Sequence, residues 1–73
     1  MEALDLHNIS HKNAKIQIED FILKNYLNLP IEIITGNSID MQNILNNIIT
    51  KLNLSSRPSS PNNLGSYIIS QKF

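Results

Sequence analysis

A chain of 73 residues with no cysteine and with six basic side chains against six acidic ones has room for one domain and a formal net charge of zero. At this length only about 60% of the unfolded surface is buried, so the apolar residues must converge on one core without disulfides or thiolate metal sites. Neutrality weighs against a nucleic-acid binder built on many phosphate contacts, and no apolar run approaches the length of a membrane span or a signal-peptide core. His7 and His11 lack a third clustered partner for a structural zinc. The expectation is a cytoplasmic monomer with no cofactor, no bound metal and no membrane partner.

Ala3 to His7 alternates apolar and polar residues, with Leu4 and Leu6 on one side and Asp5 and His7 on the other. That period of two predicts a half-buried strand. Ser10 is placed to cap a helix over about His11 to Leu27, whose core arc is Ala14, Ile18, Phe21, Ile22 and Tyr26. Ile16, Leu23 and Leu27 fall outside that arc. The simpler account of this second stripe is packing against an edge of the domain, and the functional one is a protein-binding surface.

Asn28 and Pro30 end the helix, because proline lacks an N–H and disfavours helix in the residue before it. Ile31 to Thr35 is rich in β-branched residues and predicts a second strand. Gly36-Asn37-Ser38 then turns into a helix over about Ile39 to Leu52, with Met41, Ile44, Leu45, Ile48 and Leu52 on its core face. From Asn53 the chain becomes polar, with serines, asparagines and two prolines, before the β-favouring run Ser66 to Ser70. A short edge strand and a hairpin loop are expected there. The order strand, helix, strand, helix, strand, strand predicts a two-layer α/β domain over residues 1–73, a mixed four-stranded sheet with both helices on one face.

Three features bear on chemistry. In a strand, residues two apart sit about 6.5 Å from each other on one face, which brings the Asp5 carboxylate beside the His7 imidazole near a strand's carboxyl end. Histidine exchanges protons near neutral pH, and a neighbouring carboxylate can orient it. Thr35-Gly36-Asn37-Ser38 joins a strand to a helix N-terminus, where backbone N–H groups attract anions. It lacks the lysine and second glycine of a P-loop. Asn62-Asn63-Leu64-Gly65 leads into the last strand, with Arg57 and Lys72 nearby in sequence. Each feature alone is also what an ordinary strand, turn or hairpin would show.

In this order the three features resemble the Smr (small MutS-related) domain. Its pattern is an N-terminal LDLH, a helix, a strand ending in a TGxG or HGxG turn, a second helix and a glycine-containing final hairpin. The matching residues are Leu4 to His7, Thr35 to Ser38, and Leu64-Gly65 before Tyr67-Ile68-Ile69. The resemblance spans essentially the whole chain and implies a minimal, free-standing member. It implies a fold similar to the C-terminal domain of translation initiation factor three, and an endonuclease that nicks or cleaves DNA or RNA. Asp5 and His7 map onto the residues tied to cleavage. Thr35, Gly36, Asn37 and Ser38 map onto the turn that contacts the nucleic-acid backbone, with Arg57 and Gly65 as further nucleic-acid-binding candidates. Ser38 stands where the common turn has its second glycine, and Asn37 where a basic residue is frequent. Serine keeps a donor and a helix cap, so the turn is a modified anion site.

No acidic cluster typical of a two-metal nuclease is present in the sequence, so the expected mechanism is metal-independent. Phosphate oxygens would rest on the N–H groups of Gly36 to Ser38, and neutrality predicts binding to only a few phosphates. The alternative is a non-catalytic module that binds nucleic acid or a protein.

Overall fold

A computed structural model of the chain describes residues 1–72. Strand β1 (Ala3–Asp5) leads to helix α1 (His11–Lys24), a single 3-10 turn (Tyr26–Asn28), strand β2 (Ile31–Ile34), helix α2 (Ile39–Lys51) and strands β3 (Leu54–Ser60) and β4 (Asn63–Gln71). The sheet order is β1-β2-β4-β3. β1 and β2 run parallel, whereas β4 is antiparallel to both β2 and β3. The expected two-layer α/β architecture with a mixed four-stranded sheet is therefore the observed one.

The core follows from two periodicities. In β2, Ile31 and Ile33 are buried while Glu32 and Ile34, on the other face, are only partly covered. α1 buries Ala14, Ile18 and Ile22 at intervals of four, and α2 buries Met41, Leu45, Ile48 and Ile49. Leu6, Leu54 and Ile69 close the same cluster. Five of its six largest fully buried side chains are isoleucines, each contributing about 1.5–3 kcal/mol relative to exposure. Both helices begin with serine caps: Ser10 Oγ accepts from the Asn13 N–H, as expected, and, of the two candidates Asn37 and Ser38 for α2, it is Ser38 whose Oγ accepts from the Met41 N–H.

Four local expectations are corrected. β1 stops at Asp5, because His7 and Asn8 form a turn in which Asn8 takes φ +62°. Asparagine tolerates that left-handed conformation better than most residues. α1 stops at Lys24, so Tyr26 leaves the core arc and is 41% exposed. The second stripe expected on this helix is not absorbed by edge packing: Ile16 is 64% and Leu23 62% exposed on α1, and Leu27, in the 3-10 turn, is 94% exposed.

The polar segment after Asn53 forms a full seven-residue strand, β3, of which only Leu54 is fully buried. Its stability comes from the ladder with β4 more than from burial, and Pro58 is tolerated because β3 lies at the sheet edge. On the open face of the sheet the Glu32 carboxylate accepts hydrogen bonds from the Ser59 and Ser66 hydroxyls. No helix among the described residues is long and apolar enough to cross a membrane.

Candidate active-site cleft

Parallel pairing of β1 with β2 sets Asp5 opposite Ile34, so the two strands end side by side. The chain then diverges in two directions. After β1, the Leu6 N–H still donates to the Ile34 carbonyl at 2.9 Å, and the Ile9 N–H returns to the Leu6 carbonyl at 3.1 Å, closing a tight turn. After β2, Thr35 to Ser38 lead into α2. Between the two exits lies a surface cleft of about 380 Å³, outside the carboxyl ends of parallel strands, where open α/β sheets bind ligands.

One wall carries Asp5, His7, Asn8 and His11; the other is Thr35, Gly36, Asn37 and Ser38, with Met41 among the apolar lining. Six of the eight candidates from the sequence are thus brought together. Arg57 and Gly65 do not line the cleft. Arg57 pairs with Ile68 on the edge strand β3 and is exposed. Gly65 is buried and belongs to the support behind the second wall.

The first wall is lightly tied. Asp5 Oδ1 accepts from the backbone N–H of His7 at 2.9 Å, which holds the turn rather than the imidazole. Asp5 and His7 do not share a strand face as expected, because β1 ends before His7, and no hydrogen bond joins the carboxylate to the imidazole among the described residues. Both imidazoles are exposed. His11 opens α1 directly after the cap Ser10, and so faces the same opening as His7 from one turn further along the chain.

The second wall is densely tied. The N–H groups of Thr35 and Gly36 both donate to the Gly65 carbonyl, at 2.9 and 3.0 Å. The Thr35 hydroxyl donates to the Gly36 carbonyl at 2.9 Å, and its side chain is buried. Gln42 Nε2 donates to the Leu64 carbonyl at 2.9 Å and to the Gly36 carbonyl at 3.3 Å, stitching the two glycine turns together. A Cβ on Gly65 would lie 3.2 Å from the Gly36 carbonyl carbon, which explains glycine there. Gly36 itself takes φ +67°, a conformation that glycine alone adopts freely.

These bonds correct the phosphate-binding expectation. The Gly36 N–H and the Thr35 hydroxyl are already occupied within the fold and are not free for a ligand. The N–H groups of Asn37, Ser38 and Ile39 make no hydrogen bond among the described residues, so the anion-attracting part of this wall begins one residue later than the sequence suggested. The partial positive charge of the α2 N-terminus acts at the same place.

Gln42 and the cleft position of His11 were not anticipated. Both are polar residues flanking a turn by one helical turn, a spacing that can be seen in a sequence but means nothing until the turns are known to meet. No Lys or Arg lines the cleft, so its charged and titratable side chains are Asp5, His7 and His11. No group of three or more His, Asp or Glu side chains suited to a metal ion occurs among the described residues. Comparisons with protein-family models, with curated proteins and with solved structures each returned no match.

Proposed function

We propose that this chain is a nucleic-acid-acting domain of the Smr type that cleaves a phosphodiester bond in the cleft between β1 and α2. The observation that carries the reading is the convergence of Asp5, His7, Asn37 and Ser38 on one opening at the ends of two parallel strands. The order of motifs along the chain, which resembles that of Smr domains, supports it independently. His7 is the proton-transfer group, exposed and therefore able to reach a substrate. Asp5 positions the His7 backbone through its hydrogen bond. The Asn37 and Ser38 N–H groups receive a phosphate oxygen.

Cleavage of labelled single-stranded RNA and branched DNA, with and without chelator, tests the assignment with Asp5→Ala and His7→Ala alongside the parent protein. Loss of cleavage in His7→Ala with the fold retained is the expected result. Cleavage that survives both substitutions removes the assignment of these residues. The neutral chain also predicts a shallow salt dependence: with two or three phosphates neutralised, log K falls with log salt at a slope of about −2.

A second reading is favoured by one specific feature, the exposed apolar side chains of Ile16 and Leu23 on α1 and of Leu27 in the 3-10 turn that follows it. Large apolar side chains so placed suit a protein partner. Binding without cleavage in the same assay favours a non-catalytic module over the nuclease.

A further inference from the structure

We propose that His11 is the second proton-transfer residue of the cleft, paired with His7 in the cleavage of RNA by its own 2′-hydroxyl. The proposal rests on the phosphodiester-cleaving reading above and adds the substrate class and a residue that the motif resemblance does not include.

His7 and His11 line one cleft and are both exposed. They are held four residues apart by a turn closed at the Ile9 N–H and by the Ser10 cap of α1. The remaining titratable side chain of the cleft is Asp5, one oxygen of which is engaged by the His7 backbone. Histidine changes charge between about pH 5 and 8 and so serves equally as base or acid. Two such groups lining one cleft match a reaction that needs one proton removed and one delivered.

Attack by a ribose 2′-hydroxyl has that requirement. One imidazole takes the 2′-hydroxyl proton as the O2′–P bond forms. The P–O5′ bond breaks, and the other, protonated imidazole gives its proton to the departing O5′. The products are a 2′,3′-cyclic phosphate and a 5′-hydroxyl end, and no further reactant enters the step. The nucleophile comes from the substrate, so the chain supplies only proton transfer and phosphate contacts, which are the groups this cleft contains.

The test uses the full chain and a short single-stranded RNA with a mapped cleavage position. The expected products carry cyclic phosphate and 5′-hydroxyl ends, and a single 2′-deoxy substitution at that position abolishes cleavage. His7→Ala and His11→Ala each lose at least tenfold in rate while keeping the parent's circular dichroism and melting midpoint; His11→Gln serves should the alanine variant fail to fold. A substrate with sulfur in place of O5′, whose leaving group needs no proton, restores one of the two variants and leaves the other impaired. That variant carries the acid.

Four results overturn the proposal. A loss of less than tenfold in His11→Ala removes His11 while leaving the nuclease reading intact. Rescue of both variants, or of neither, removes the division of roles. Undiminished cleavage of the 2′-deoxy substrate removes the substrate class. A parent protein that cleaves neither RNA nor DNA removes the underlying reading and this proposal with it.

Discussion

The two walls of the cleft are made in opposite ways. The wall from Thr35 to Ser38 is bound to the neighbouring hairpin by two backbone hydrogen bonds to the Gly65 carbonyl and by the Gln42 amide, and is braced within itself by the buried Thr35 hydroxyl on the Gly36 carbonyl. The wall from Asp5 to His11 is held by the Leu6 N–H on the Ile34 carbonyl, one carboxylate–backbone bond, one turn and one helix cap, and leaves both imidazoles in solvent. Residues that resemble a binding loop, Thr35 and Gly36, spend their polar groups on the fold. Residues whose polar groups remain free, His7, His11 and the N–H groups of Asn37 and Ser38, are those available for chemistry. Motif membership and chemical availability are therefore separate properties, and hydrogen-bond accounting distinguishes them.

Substitutions on the two walls should then fail in different assays. The largest effect is expected at His7: His7→Ala should lower the rate of phosphodiester cleavage by about 10²–10⁴-fold while changing stability by less than about 0.5 kcal/mol in urea denaturation. A stability loss comparable to the activity loss would erase the distinction between the walls.

Next is Gly65→Ala. Its new methyl group would press on the Gly36 backbone at 3.2–3.3 Å, and the strain should lower unfolding free energy by about 1–3 kcal/mol. Gly36→Ala meets no atom within 4 Å but must hold φ +67°, at a cost of about 1–2 kcal/mol. The same urea titrations measure both, and an unchanged midpoint in either would show that the glycine turns are not the rigid side. The smallest effect is expected for Gln42→Ala, about 0.5–1.5 kcal/mol from two exposed amide hydrogen bonds. Hydrogen exchange at Gly36 should quicken in that variant, and unchanged exchange would mean that the stitch is not shared between the turns.

Much of the fold could be read directly from the chain. The period of four in Ala14, Ile18 and Ile22, the alternation in Ile31 to Ile34 and the serines before each helix are local signals, and the elements stand where those signals place them. The failures share a cause. β3 carries no periodic apolar signal, since its stability is supplied by β4 alongside it; the end of β1 depends on Asn8 adopting a left-handed turn. Neither is visible in residues taken a few at a time.

The site divides in the same way. Asp5 and His7, and the turn from Thr35 to Ser38, were recognisable as chemistry-bearing types near strand ends, because residue type and strand–turn–helix context are properties of short segments. Only the tertiary structure decided that these segments face each other across one cleft, that Arg57 stands apart from it, and that the Gly65 carbonyl takes the N–H of Gly36. The reason is physical: a donor's availability depends on what lies within hydrogen-bond reach, and Gly36 and Gly65 are 29 positions apart in the chain. The neutral 73-residue sequence determined an isoleucine-rich core and the elements around it. The meeting of its two glycine turns determined which groups were left free to act.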